Sequence, residues 1–321
     1  MNTQEGRAWR ALAAARGAGP KTLWRIAGYL GARRQTASWL LANPENLRAA
    51  LMASKAVIES PGRPDGGSAE FVAFAGAAPV LLHPLHPLFP RRVRDLRDKM
   101  ALPALLYAAG DLSLLERPAV AIVGMRNAGK PALTVAAALA SGLADRGIHV
   151  VSGYAAGIDS AAHAGALRAL GTTGIVLSEG IGRFRVKPEL MDFLTKENTL
   201  VISQFEPDAH WAAYMAMARN KLVCALSNAV VVVASGPERG AGGRMSGSFA
   251  AGMAALDLGI PAFAVSPGFF PDAPEGNRGL IARGCRAWDP ATGAAAIIAA
   301  MDEAAGKRTA GQLGLFPEAG S

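Results

Sequence analysis

From residue 118 onward, short uninterrupted apolar runs alternate with longer helix-like stretches, and this alternation constrains the fold more than any other feature of the chain. The runs start with Ala119-Val-Ala-Ile-Val-Gly124 and continue with His149-Val150-Val151, Thr173 to Leu177, Leu200 to Ser203, Ala229 to Ala234 and Ala262 to Val265. Helices are expected between them over Pro131 to Arg146, Ser160 to Leu170, Glu189 to Lys196, Met215 to Leu226 and Ser246 to Leu258. Strands without polar alternation are buried on both faces, and repeated strand–helix–strand units build a parallel sheet with helices on both sides. The expected class is therefore α/β with a mostly parallel, doubly wound sheet. A ligand of such a sheet sits beyond the carboxyl ends of its strands.

The front of the chain differs. Trp9, Leu12, Leu23, Trp24, Ile26, Leu30, Trp39 and Leu40 recur at helical spacings, and Gly17, Gly19-Pro20, Gly28 and Gly31 mark stops, so a small all-α domain is expected. The turn Gly17-Ala18-Gly19-Pro20-Lys21-Thr22 is similar to that of a helix-hairpin-helix element, whose amides hold a phosphate, and equally to turns in helical pairs that touch no DNA. A turn-rich linker covers Ser60 to Ser68. The cluster His83-Pro84-Leu85-His86-Pro87-Leu88-Phe89-Pro90 reads as an extended connector rather than a metal site, and a basic helix is expected over Arg91 to Met100. The expected boundaries are a helical domain over 1–68, a linker and lead-in segment over 69–117, a Rossmann-like domain over 118–300 and a short tail over 301–321.

Charge follows the same division. Of 33 Lys+Arg and 25 Asp+Glu, 15 and 7 lie in residues 1–110, so the entire net charge of +8 sits there and the remainder is neutral. A basic front end suits nucleic acid or another acidic surface, and also solvated helix faces with no partner. With 51% hydrophobic residues the chain is no disordered tail, and two cysteines, Cys224 and Cys285, exclude a disulfide scaffold and a cysteine-based zinc cluster. The longest apolar stretch, Leu222 to Pro237, is too short and too polar to span a bilayer, so a cytoplasmic protein without membrane contact is expected.

The junctions after the strands carry the candidate site. Gly124-Met-Arg-Asn-Ala-Gly129-Lys130-Pro131 meets the P-loop spacing but has Pro131 where a magnesium-holding Ser or Thr belongs, so it reads as a helix start. Gly124 allows close backbone approach and Arg126 is placed to reach an anion. In the stretch from Ser152-Gly153 to Gly157-Ile158-Asp159-Ser160, small-residue turns lead into a helix capped by Asp159 or Ser160, leaving amides free for an anion. His163 lies four residues after Asp159 and reads as a structural partner rather than a catalytic one. Arg219-Asn220-Lys221 and the glycine-rich loop Arg239 to Ser248, with Ser246 and Gly247 at its helix start, complete the crevice. Arg183, Arg185 and Lys187, with Phe184 among them, suit phosphates and stacked bases of a single strand. No complete catalytic motif, cofactor motif or metal-ligand set accompanies these residues.

In this order the motifs resemble the DprA/Smf family of DNA-processing proteins. The likeness runs through Gly17-Ala18-Gly19-Pro20-Lys21, Pro87-Leu88-Phe89-Pro90, Leu106 to Leu112, Ala119 to Arg126, Val151-Ser152-Gly153, Gly157-Ile158-Asp159, Arg219 to Leu222, Ser246-Gly247-Ser248 and Gly276 to Ile281. It implies an extended Rossmann-like fold and a non-enzymatic protein that binds and protects single-stranded DNA and loads the RecA recombinase during natural transformation or recombination. It implies no cofactor; the family's dimers pair through the Rossmann-like domain, which the residues leave open. Arg126, Lys187, Arg219, Asn220 and Lys221, with Arg183 and Arg185, would contact the strand, and Gly124, Ser152, Gly153, Gly157, Asp159, Ser246 and Gly247 would shape its backbone pocket. Met125, Ala156 and Met217-Ala218 stand where the family has Ser, Arg and Phe-Pro, which implies a remodelled pocket in which Arg239 or Arg244 replaces the missing charge. After Met301 only a short helix end and the tail Gln312 to Phe316 are expected, without the winged-helix extension found in many members of the family. The rival reading is a nucleotide-binding enzyme or sensor similar to nucleoside-monophosphate phosphoribohydrolases, although their glycine-rich phosphate loop is missing.

Overall fold

The computed structural model describes residues 3–15, 18–43, 45–46, 50, 79–96, 99–240, 243–271 and 274–313. The linker at 60–68, Gly17 of the front turn and the tail beyond 313 lie outside them. In chain order the helices are α1 (Gln4–Ala14), α2 (Pro20–Arg33), α3 (Ala37–Ala42), α4 (Arg91–Asp95), α5 (Lys130–Ala144), α6 (Ile158–Arg168), α7 (Ala213–Ala225), α8 (Gly247–Asp257), α9 (Glu275–Ala282) and α10 (Ala295–Leu313). The strands are β1 (Val80–Leu82), β2 (Leu106–Gly110), β3 (Ala119–Val123), β4 (His149–Ser152), β5 (Thr173–Val176), β6 (Thr199–Ser203), β7 (Ala229–Val232), β8 (Ala262–Val265) and β9 (Arg286–Trp288).

The chain divides into two compact units. The first comprises Met1–Glu116, Leu177–Val186 and Thr195–Met215, and the second comprises Arg117–Val176, Lys187–Leu194 and Ala216–Ser321.

The second unit holds a six-stranded sheet in the order β5-β4-β3-β7-β8-β9, with every pair parallel. The order reverses between β3 and β7, where Val120 to Val123 pair with Ala229 to Val232. Crevices of doubly wound sheets open at such a reversal, outside the carboxyl ends of the strands. All residues of β3, β4, β5, β7 and β8 are buried, as continuous apolar runs require. Val120, Ile122 and Val231 of the sheet share one core with Val135, Leu139 and Leu143 of α5 and with Ile297 and Met301 of α10. Pro131 stands in the first turn of α5, consistent with a helix start rather than a phosphate loop.

In the first unit β1, β2 and β6 form an antiparallel ladder, with Leu81 opposite Tyr107 and Ala108 opposite Ile202. Trp9, Leu12, Ile26, Leu30 and Leu40 of α1 to α3 are fully buried. Helices α1 and α3 begin on side-chain caps: the Thr3 hydroxyl accepts from Gly6 N at 3.0 Å, and the Glu5 carboxylate accepts from Ala37 N at 2.6 Å and Ser38 N at 3.0 Å. His83 stacks on Trp9 with ring centroids 5.1 Å apart, and among the described residues no group of His, Cys, Asp and Glu could hold a metal ion. Among the described residues no helix is long and apolar enough to cross a membrane.

Several expectations change. The lead-in segment contributes two strands, β1 and β2. The helix expected over Glu189 to Lys196 is reduced to a single 3-10 turn, Pro188–Leu190. The basic helix expected over Arg91 to Met100 ends at Asp95 and resumes as a 3-10 turn, Lys99–Ala101. Beyond Met301, where only a short helix end was expected, α10 continues to Leu313.

Candidate nucleic-acid interface

The carboxyl ends of β3 and β4 bring the distinctive junctions of the sequence together. The chain leaves β4 at Ser152, whose hydroxyl donates to the Ile122 carbonyl of neighbouring β3 at 2.6 Å and is consumed within the sheet. Gly153 follows, and a Cβ there would coincide with the Arg219 guanidinium and press on the Asp159 carboxylate. Glycine is required here because another side chain occupies the volume. At Gly157 the backbone itself decides: φ is +79° and ψ −126°, and a Cβ would strike the carbonyls of Met125 and Arg126. A Cβ at Gly124 would meet Ile158, so the close approach expected there is made by the protein's own side chain.

Gly157, not Asp159 or Ser160, is the residue that caps α6, and it offers no side chain to the helix start. Asp159 instead turns inward. Its Oδ2 lies 3.7 Å from Arg219 Nη1 and accepts from Ala155 N at 3.3 Å. Both partners are 5% exposed. Burial pushes the Asp159 carboxyl above its usual range and the Arg219 guanidinium below its own, each opposed by the charge of the other. Arg219 Nε is buried with no hydrogen-bond partner among the described residues. Arg219, expected to reach solvent phosphates, is therefore an interior cation in this structure.

Lys187 is half-buried. Its Nζ donates to the Ala155 carbonyl at 3.0 Å and bonds the Ser160 hydroxyl at 2.6 Å, while lying 4.5 Å from the centre of the Tyr154 ring. The Tyr154 hydroxyl accepts from Lys187 N at 2.9 Å, a link between residues 33 apart that no motif announces. Burial lowers the Lys187 pKa, countered by Glu189 and Asp159. His163 is fully buried, 2.7 Å from Thr173 Oγ1 through Nδ1 and facing the Gly153 carbonyl through Nε2. Nε2 faces a carbonyl and so donates, while the single Thr173 hydroxyl proton has two acceptors in reach, Nδ1 and the Val150 carbonyl at 2.9 Å. Burial lowers its pKa to about 4, so it holds the Gly153 turn as an uncharged strut, in line with its expected structural role.

Arg126, by contrast, is exposed, and its charge bears on Arg219. Thus Arg126, Lys187 and Arg219 stand against Asp159 and Glu189, an excess of one positive charge. Lys221 is exposed on α7, while Asn220 Nδ2 donates to the Gly247 carbonyl at 2.9 Å and ties α7 to the start of α8. Ser246 caps α8 by accepting from Phe249 N at 3.2 Å. Arg239 and Arg244 are exposed in the loop before α8. Asn277, which sequence reasoning quoted only as part of a motif, is fully buried: it donates to the carbonyls of Val233 and Val265 and accepts from Ser235 N, clamping the ends of β7 and β8.

Arg183 and Arg185 belong to the first unit. Phe184 between them is 4% exposed, so it cannot supply the stacking face expected of it. Cys224 and Cys285 are free, buried thiols.

The sequence pattern described as DNA recombination-mediator protein A matches residues 80–301. Among characterised proteins the chain is 32% identical over 188 residues to the DNA processing protein DprA of Bacillus subtilis, a match covering 58% of this chain and 61% of that one, less than two thirds of its length. Among solved structures, DNA processing protein A from Streptococcus pneumoniae aligns with a TM-score of 0.65 at 23% identity, covering 89% of this chain and 94% of that one, which shows a shared fold. DNA processing protein A from Helicobacter pylori, whose structure describes a single-stranded DNA binding mode, aligns with a TM-score of 0.52 at 27% identity over 63% of this chain and 87% of that one.

Proposed function

Because the chain belongs to the DNA recombination-mediator protein A family, we propose that it binds single-stranded DNA along the crevice at the carboxyl ends of β3, β4 and β7. The observation that carries this reading is the cationic excess there, with Arg126 and Lys221 exposed and Lys187 and Arg219 adding their charge from partly or fully buried positions. The helix starts at Gly157 and at Ser246-Gly247 are the uncharged part of the proposed surface, with the buried Ser152 and Gly153 supporting it from below. Arg183 and Arg185 belong to the first unit and are proposed as contacts of their own to the strand. A strand held this way is protected and positioned rather than chemically altered, so the protein acts without catalysis. We extend the proposal to its biological setting: protection of incoming or recombining single strands in the cytoplasm, delivery of them to RecA, and pairing of two copies through the Rossmann-like domain.

Fluorescence anisotropy of a labelled oligothymidylate across a salt series tests the crevice. Each phosphate contact to a single strand contributes about 0.7 to the slope of log K against log salt. Arg126→Ala with Lys221→Ala should therefore lower affinity and reduce the slope by about 1.4. An unchanged slope and affinity would refute the site.

A further inference from the structure

The first unit carries two exposed aromatic residues in the segment that follows His210, the residue to which Arg183 is bonded. Gly180 N donates to the Ala209 carbonyl at 2.8 Å and Gly182 N to the Pro207 carbonyl at 3.0 Å, so the segment before Arg183 is laced to the segment before His210. Arg183 Nε donates to the Asp208 carbonyl at 3.0 Å and its Nη2 donates to His210 Nε2 at 2.6 Å, which requires a neutral imidazole accepting at that nitrogen. The guanidinium plane is thereby held in one orientation. Arg185 is exposed, with Nη1 donating to the Phe184 carbonyl at 2.8 Å. Glu179 is the carboxylate whose field reaches Arg183, Arg185 and His210, and even ionised it offsets only one of the two arginines.

Trp211 follows His210 directly and is 50% exposed, and Tyr214, three residues on in the first turn of α7, is 68% exposed. They are the two most exposed aromatic side chains among the described residues. Leaving that apolar area in water forfeits roughly 25 cal/mol per Å² that burial would return. Bases of a duplex are stacked on one another, whereas those of a single strand have free faces, and an aromatic pair next to cations meets both parts of such a strand.

We propose that Trp211 and Tyr214 form a stacking platform for the bases of single-stranded DNA whose phosphates are held by Arg183 and Arg185. This rests on the single-strand reading above and adds to it a base-contacting surface on the first unit, in the role that buried Phe184 cannot fill. The fixed cations favour a polyanion over a protein partner for this patch.

The test compares oligothymidylate with an abasic oligonucleotide of equal length, which keeps every phosphate and lacks every base. The wild-type chain should bind the thymidylate at least about tenfold more tightly. Trp211→Ala with Tyr214→Ala should bring the two affinities together without changing the salt slope, whereas Trp211→Phe with Tyr214→Phe should keep the preference. Of the other four tryptophans Trp9, Trp24 and Trp288 are buried and Trp39 is partly buried, so in a Trp39→Phe background quenching of tryptophan emission by oligothymidylate should vanish on adding Trp211→Phe. Both side chains are exposed, and an unchanged circular dichroism spectrum checks that the variants fold. If the alanine variant retains the wild-type preference for thymidylate, or if the wild type binds both oligonucleotides equally, the platform is overturned while the crevice reading stands. If the wild type binds neither, both fall.

Discussion

Replacing Asp159 by Ala leaves the Arg219 guanidinium buried without a counter-charge, and the cost follows from the geometry. The two charges are 3.7 Å apart and both side chains are almost wholly enclosed. At an effective dielectric constant of about 20 the attraction at that separation is roughly 4 kcal/mol. Breaking a buried pair by removing one partner costs about 3–5 kcal/mol, because the remaining ion keeps its desolvation penalty. For a domain of this size that lowers Tm on the order of 10 °C. Urea unfolding followed by circular dichroism measures it without adding salt, and a change in midpoint at constant m isolates stability. The double replacement Asp159→Leu with Arg219→Met removes both charges and should recover most of the loss, since apolar pairs of similar volume replace buried ion pairs at little or no cost. A single-variant loss below about 1 kcal/mol, or a double variant as unstable as the single, would refute an interior ion pair at this position.

Two further outcomes are expected. His163 titrates near 4 in the fold, below its unfolded value of 6.5, so the unfolded chain takes up its proton first and stability falls as pH drops through that window. At pH 5 the loss from this group is about 2 kcal/mol, and His163→Gln should reduce the difference in unfolding midpoint between pH 7 and pH 5; an unaltered difference would assign it elsewhere, with His83, also lowered to about 4 by burial, as the next group to replace. Gly157→Ala forces a side chain into a positive-φ conformation and onto two carbonyls, and should destabilise by at least about 1–3 kcal/mol in thermal unfolding, whereas a neutral effect would mean the β3 and β4 junctions are not in contact.

The parallel sheet was legible because five of its six strands in the second unit have apolar stretches without polar alternation and are buried along their whole length, a pattern that double-sided burial explains. The sixth, β9, has two exposed residues in three, and β1 is equally short, so neither had a periodicity to read. Helix α9 hides behind Gly276 and Gly279, residues of poor helix propensity; a Cβ at Gly276 would strike the Gly236 carbonyl. Of the candidate site, close approach was expected at Gly124, where the Ile158 side chain makes it, and Gly153 and Gly157, expected as small-residue turns with free amides, are crowded by the protein itself. Whether an arginine faces solvent or the interior depends on partners distant in sequence: Arg219 is interior because Asp159 and the missing side chain of Gly153 make room for it, sixty residues earlier in the chain. Phe184 misled for the same reason, its burial being set by tertiary packing rather than by its basic neighbours.

The central claim is that the positive crevice recognises a polymer and not a nucleotide. Isothermal titration of the wild-type chain with an oligothymidylate and, separately, with thymidine monophosphate decides it most directly. The account predicts saturable binding of the oligonucleotide that weakens as salt rises, and no measurable binding of the monophosphate at the same nucleotide concentration. Saturation by the monophosphate with no response to the oligonucleotide would contradict it and identify a nucleotide-binding protein instead.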